Sequence, residues 1–422
     1  MKQHTFERIL KGLFYSSGLY RMGNPFSVFL LTHTSFIVFI NLQSIFVNTL
    51  FFRVTGNSDI VMKYNSLLFL FTAVFMVMAV TVVRRFSPVV SVRTGILLYA
   101  AMYITFLLSL NHLDTMYIVI AVLSAAGGGF YWLAYSILIG EYSTDDNRDT
   151  AIGLIGVVSG VVTLVMPLLS GYVISLFDNL TGYVIMLTFS FVVGVLTLFL
   201  SRSLTKVENQ RGPTHFLLAL KRLKTDRLHK LVMAHEFVKC IREGTFIFFL
   251  NILLFSVITN EGVVGFNTFL TGLSSIIGCW LYAKVIVPRH RLKSVFYSIT
   301  ILLVLGLMLY IGLSPIVIIG FSVANAFLTP FLLYPSVGLS YRVFADASEP
   351  ISCSTELFAL KEFAVASGRI VGILIVSLSP NSAFGYVTAI IILTLSQYLM
   401  LLINRTIVRK LAQKEEEKVS VS

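Results

Sequence analysis

The sequence predicts an all-α membrane protein in which twelve transmembrane helices form two six-helix halves. Three observations lead there. Of the 422 residues, 56% are hydrophobic and only 12% charged, about half the charged share of a soluble domain. Apolar runs of ~20 residues, each enough to cross ~30 Å of hydrocarbon, recur along the whole chain. One passage, RSLTKVENQRGPTHFLLALKRLKTDRLHK over Arg202–Lys230, is the only long polar and basic stretch between the termini, and six apolar runs lie on each side of it. A β-barrel would show short alternating segments instead.

In chain order, residues 1–27 are a cytoplasmic N-terminal segment. Phe6, Ile9, Leu10, Leu13 and Phe14 recur there at helical spacing among Lys2, Arg8, Lys11 and Arg21, which suits either a helix lying on the inner membrane surface or a basic tail. No cleavable signal is expected, because the first apolar run is already a full span followed by others. Spans near 28–50, 61–83, 89–110, 115–139, 150–176 and 182–203 make an N-terminal bundle over 28–203. Residues 204–230 are the basic linker. Spans near 231–256, 262–286, 291–313, 315–340, 353–378 and 384–408 make a C-terminal bundle over 231–408, and a charged tail occupies 409–422.

An even number of crossings puts both termini and the linker on one side, and the charges say which. Of the 32 Lys and Arg, only Arg53 and Lys63 fall at the opposite end, and Lys239, Arg242, Lys361 and Arg369 lie inside spans. Every other one sits at the linker end. Cytoplasmic loops carry this excess, so the expectation is a multi-pass protein of the cell membrane with both termini cytoplasmic. The same placement accounts for the formal charge of +12 through lipid rather than nucleic acid. Cys240, Cys279 and Cys353 show no disulfide or metal spacing, and no metal or cofactor is expected.

The halves read as repeats. Pro88 after the second span matches Pro288 after the eighth, and Asp146 after the fourth matches Asp346 after the tenth, at one offset; Gly171 and Gly372 match within one residue of it. Two parallel six-span repeats joined by a cytoplasmic linker form the layout of an alternating-access transporter.

At this point the chain resembles the major facilitator superfamily over essentially its whole length. VVRRFSPVVSVRTG between spans 2 and 3 keeps the basic residues Arg84, Arg85 and Arg93 of the family's loop motif, with Arg84 standing where an acidic residue is usual. GVVSGVVTLVMPLLSG in span 5 is similar to the family's antiporter motif through Gly156, Gly160, Pro167 and Gly171, and departs from it at Met166 and Ser170. IFVNTLFFR, GGGFYWLAYSILIGEYSTDDNRD, IREGTFIFFLN and KEFAVASGR resemble little-characterised permeases of this superfamily from Gram-positive bacteria. The resemblance implies the fold and a transport role. It implies no substrate.

Ionisable groups inside a membrane are costly and therefore candidates for function. Span 7 holds Glu236, Lys239, Arg242 and Glu243; Glu236, Lys239 and Glu243 share a helical face. At ~1.5 Å per residue, Arg242 and Glu243 lie ~17–20 Å from the linker end. Span 11 adds Lys361, Glu362 and Arg369. These seven form either a proton-coupling network centred on Glu243 and Glu362, a solute-binding set, or static ion pairs such as Glu243 with Arg369 or Lys361. Asn41 and Asn48 share one face of span 1 and either line a cavity or bridge helices. Tyr131 and Tyr135 follow Gly127–Gly128–Gly129 in span 4 and either line the cavity, stacking on a ring or sugar face, or pack. Asp146 and Arg148, with Arg84 and Arg85, form a candidate cytoplasmic gate or a merely solvated loop. Pro167 with Gly171 marks a bend in span 5.

No Walker lysine motif, metal cluster or voltage-sensor arginine repeat is present, and no enzyme is expected. The leading expectation is a secondary transporter, monomeric in the bilayer, that moves a small organic solute, coupled to protons. The alternative is a membrane sensor or scaffold that keeps the transporter fold. The two differ in whether a water-filled cavity joins spans 1, 4, 7 and 11.

Overall fold

The structure, a computed structural model, describes residues 24–421 apart from 45, 57, 143–147, 206, 208–211, 287–289, 345–352 and 381. The described residues are helical, with no strand among them. Span 1 runs Asn24–Ser44 and Phe46–Thr55, span 2 Ser58–Arg85, span 3 Pro88–Leu108, span 4 Leu113–Glu141, span 5 Arg148–Ser175 and span 6 Thr181–Leu200. A linker helix occupies Phe216–Thr225. Span 7 runs Arg227–Ile258, span 8 Glu261–Val285, span 9 Arg291–Met308, span 10 Pro315–Phe344, span 11 Ser354–Ser377, and span 12 Ala383–Leu395 with Gln397–Val421.

Eleven of these, among the described residues, are long and apolar enough to cross a bilayer. Span 11 has the length, at 24 residues, but carries Glu356, Lys361, Glu362 and Arg369 where a lipid-facing helix would carry aliphatics. Its charge is tolerable because it lies between span 7 and span 2 rather than against lipid. On the periphery the reverse holds: Val157 and Val161 of span 5, Leu196 of span 6 and Val304 of span 9 are bare, the surface that a bilayer covers.

Local chemistry sets the helix ends. Pro88 opens span 3 behind Ser87, whose hydroxyl accepts from the Val90 N–H at 3.3 Å. Asp226 caps span 7 by accepting from the Leu228 N–H at 2.7 Å, and Asn260 caps span 8 by accepting from the Val263 N–H at 3.1 Å. The turns before spans 2 and 8 use left-handed backbone, at Gly56 (φ 65°) and Thr259 (φ 49°). These two residues occupy equivalent places in the two halves.

The halves meet along two long seams, span 2 against span 11 and span 5 against span 8. Exchanging the two repeats turns one seam into the other, as a twofold between bundles requires. Near that axis Phe52 of span 1 meets its counterpart Phe255 of span 7 edge-on, with ring centroids 6.1 Å apart. The linker helix crosses the span 2–span 11 seam at one end. Phe216 packs on Val80 and Val83 of span 2 and Ala359 of span 11, while Ala219 packs with Val232, Cys353 and Leu357 of the C-terminal bundle. The surface helix considered for residues 1–25 falls almost wholly outside the described residues.

Candidate functional site

Glycines bring spans 7 and 11 unusually close. A Cβ on Gly368 would run into the Phe237 carbonyl, one on Gly372 into the Ile241 carbonyl, and one on Gly244 into the side-chain stem of Arg369. Backbones at this range leave room for the Arg369 stem because Gly244 has no side chain. Lys239, Arg242 and Glu243 of span 7 face the centre of the molecule, and the head of Arg369 lies against the N-terminal bundle.

That centre holds a cavity of about 460 Å³. Its wall includes Lys239, Arg242, Glu243 and Phe246 of span 7, Asn267 and Thr271 of span 8, and Asn325 of span 10. The N-terminal bundle contributes Asn41 of span 1 and Thr163 of span 5. Pro167 lies one turn beyond Thr163 and has no N–H to give its carbonyl, which weakens the helix at the cavity wall. At the far end of span 5, Gly171 faces the Glu261 carbonyl at 2.6 Å and the Gly265 Cα at 3.0 Å from where its Cβ would stand, so this glycine sits in the bundle seam.

The charges are not uniformly paired. Lys239 donates to Glu236 one turn earlier. Arg242 is 4% exposed. It donates to the Asn325 amide oxygen and lies over the Phe246 ring at 4.2 Å, with no carboxylate in ion-pair range among the described residues. Its Nε, Glu243 Oε2 and Asn267 Oδ1 are buried without a hydrogen-bond partner. Gln397 Oε1 on the same wall is a fourth. Each such atom costs about 1–3 kcal/mol, so this wall carries polar groups that the protein itself leaves incomplete.

The other residues singled out from sequence fall elsewhere. Lys361 and Glu362 approach only to 3.9 Å and neither belongs to the cavity wall. Arg369 lies over Phe69 of span 2 at 4.7 Å. No ion pair of Glu243 with Arg369 or Lys361 occurs among the described residues. Asn48 accepts from Asn65 of span 2 at 2.7 Å and is a bridge between helices; Asn41 is on the cavity. Tyr131 is buried in the N-terminal bundle, its hydroxyl 3.0 Å from His33 Nδ1, and Tyr135 stacks on the same imidazole with centroids 4.3 Å apart. The glycines before them pull span 4 against Tyr99 and the backbone of span 2, which carries these rings into the core and off the cavity. Arg84 pairs with Glu356 of span 11 at 3.4 Å, and Arg85 lies over Phe86 at 5.6 Å. Asp146 and the Arg148 side chain lie outside the described residues.

Sequence reasoning passed over Glu356, Glu261, Asn251, Asn267 and Asn325. Glu356 is fully buried and also accepts from the His215 N–H at 3.2 Å, tying the linker to the span 2–span 11 seam. At the opposite end Arg53 pairs with Glu261, which also accepts from the Tyr183 hydroxyl at 2.8 Å. The signal for Glu261 and Glu356 was available, since each is an acid opening a span. For the asparagines only the recurrence of amides in apolar helices could have served.

Two six-helix bundles closing on a polar chamber at mid-depth form the architecture of a membrane transporter. The chain belongs to the Major Facilitator Superfamily, whose profile residues 26–344 match. Among proteins of known sequence it is 26% identical over 338 residues to the uncharacterized protein YqgE of Bacillus subtilis strain 168, covering 79% of this chain and 78% of that one. Among solved structures it superposes on a bacterial homologue of the iron transporter ferroportin in its inward-facing state, with a TM-score of 0.71 at 11% identity over 91% of this chain and 98% of that one. The fucose:proton symporter of E. coli gives 0.62 at 16% identity, over 91% of this chain and 98% of that one.

Proposed function

We propose that the protein is a secondary active transporter of the cell membrane that moves a small organic solute by alternating access, with proton exchange at Glu243 coupled to the movement. The observation that carries this reading is the mid-depth cavity with Arg242 and Glu243 side by side on its wall and buried polar atoms left open. The basic linker end faces the cytoplasm on the strength of its Lys and Arg excess. In support of alternating access, the bundles are tied at both ends by an ion pair among the described residues, Arg53–Glu261 at one end and Arg84–Glu356 at the other, so each end has a polar tie that can be made or broken. The homologue of ferroportin fits better inward-facing, at 0.71, than outward-facing, at 0.63. A protonated Glu243 removes one charge from a wall it shares with Lys239 and Arg242, so loading a proton alters what the chamber binds.

The test is side-specific labelling. In a variant with Cys240, Cys279 and Cys353 replaced by alanine, a cysteine at Thr271 should react with an impermeant maleimide mainly from the linker side. Acidifying the opposite side should change the labelling rate several-fold, and Glu243→Gln should flatten that response. A Thr271→Cys inert from both sides removes the transporter reading; an undiminished pH response in Glu243→Gln removes the coupling role.

A further inference from the structure

The unpaired cation in the chamber speaks to what the chamber takes, an inference that rests on the cavity being the transport site. The other cations held between the bundles have counter-ions or exposure. Lys239 has Glu236, Arg84 has Glu356, Arg53 has Glu261, and Arg369 is only half-buried over an aromatic ring. Arg242 is buried as deeply as any of them; its hydrogen bond and its ring contact go to neutral groups, the Asn325 amide oxygen and the Phe246 ring, and Glu243 acts on it only through space, outside ion-pair range. A guanidinium at this depth without an ion-pair partner is expensive. Its planar fork matches a carboxylate.

The rest of the wall is neutral and polar. Asn251, Asn267 and Asn325 present amides, and Thr268, Thr271 and Thr329 present hydroxyls. Amides and hydroxyls donate and accept alike, as a hydroxylated solute does. Asn267 already donates to Asn251 at 3.0 Å, and its Oδ1, like Gln397 Oε1, is a buried acceptor without a donor. A volume of about 460 Å³ admits a body of monosaccharide size with water around it.

We propose that the chamber binds a small hydroxylated organic anion, its carboxylate on Arg242 and its hydroxyls on the amides of spans 7, 8 and 10. The titratable groups facing the chamber are Lys239, Arg242 and Glu243, and since Lys239 is taken up by Glu236, Arg242 and Glu243 remain to meet a solute. A solute cation would have Glu243 to pair with and would meet Arg242 beside it. A zwitterion would need Glu243 as a standing counter-ion, which the proton role denies it.

The experiment uses the purified full-length protein and four probes: D-glucuronate, D-glucose, D-glucosamine and L-serine. Thermal unfolding and calorimetric titration should show D-glucuronate binding at least about tenfold more tightly than D-glucose, a difference of ~1.4 kcal/mol, and the other two not at all. Arg242→Gln should abolish that preference without lowering the ligand-free melting temperature, because it removes a buried charge that no ion pair holds. A guanidinium with a merely structural role would melt lower when neutralised. Asn325→Ala, which leaves the charge in place, should weaken D-glucuronate binding several-fold, and Arg405→Gln on the exposed face of span 12 should leave it unchanged. Equal affinity for D-glucose and D-glucuronate, a preference for D-glucosamine or L-serine, or no binding of D-glucuronate overturns the anion. The Thr271→Cys labelling reports separately on the cavity, so a wrong substrate class and a wrong site are told apart.

Discussion

In the N-terminal bundle Asn65 of span 2 donates to Asn48 of span 1 at 2.7 Å; in the C-terminal bundle Asn267 of span 8 donates to Asn251 of span 7 at 3.0 Å. The two pairs occupy matching places in the repeat, as do Phe52 and Phe255, and Gly56 and Thr259. Their surroundings differ. Asn48 and Asn65 are sealed in a core with Tyr64 and Phe51 close by, whereas Asn251 and Asn267 line the cavity. One amide clasp, present in both halves, is sealed between helices in one half and faces the cavity in the other. The same split runs through the charges, since the N-terminal half offers the chamber only Asn41 and Thr163 while the C-terminal half supplies all three ionisable groups. A duplicated scaffold thus gives the cavity a nearly neutral wall from one bundle and a charged wall from the other.

The sharpest way to break this comparison is at Gly171 and Gly372, which occupy corresponding places. Gly372→Ala drives a methyl into the Ile241 carbonyl inside the C-terminal bundle, where neither backbone can yield without parting spans 7 and 11. The expected result is loss of folded protein, a penalty at or above the ~1–3 kcal/mol of ordinary overpacking, seen as loss of a monodisperse peak and of the melting transition. Gly171→Ala meets the Glu261 carbonyl across the seam between bundles, and the bundles can part there. It should fold, melt within a few degrees of the parent, and show increased labelling of a cysteine at Ser256, in the pocket at that end. If both alanines act alike, the two glycines do not serve the different interfaces assigned to them.

Much of the fold was legible because lipid imposes a length and a polarity on every crossing. The site was legible only in part, and its gaps have physical causes. Arg242 and Glu243 stood out since charge at mid-membrane needs a reason. Asn267 and Asn325 did not, because an amide in a helix serves equally as a staple, and Asn48 shows that it does. Tyr131 and Tyr135 were open between cavity and core, and three glycines before them drew span 4 inward until those rings stacked on His33. Glu356 and Glu261 were visible as residues, but their partners Arg84 and Arg53 lie in the other half of the chain, and spacing within one half carries no information about pairing between halves.

A smaller effect separates the asparagine pairs. Asn65→Leu leaves the Asn48 carbonyl oxygen buried with nothing to accept from, which should cost about 1–3 kcal/mol and lower the melting temperature while sparing labelling at Thr271. Asn267→Leu lies beside the open chamber, where water can reach Asn251. Its stability loss should be well under half that of Asn65→Leu, and its effect should fall on D-glucuronate affinity instead. Equal destabilisation by the two would mean that both amide clasps are only staples.

The smallest expected effects, of opposite sign, come from the ties at the two ends. Glu356→Gln removes the charge opposite Arg84 but keeps an oxygen for the His215 N–H; Glu261→Gln does the same opposite Arg53, whose other arm still donates to the Asp178 carbonyl at 2.6 Å. The arginines are 19% and 27% exposed at their side chains, so water replaces part of what is lost, and each substitution should shift the balance of states by about 1 kcal/mol, roughly fivefold in population. Loosening Glu356 frees the linker end and should raise the labelling of Thr271→Cys from that side. Loosening Glu261 frees the other end and should raise the labelling of Ser256→Cys while lowering that of Thr271→Cys. The double variant should return both rates toward the parent, since two ties that oppose one another about a common axis cancel when both are cut. Shifts in the same direction would mean that the ties hold the bundles together without choosing between open ends, and the rocking motion would then need another latch.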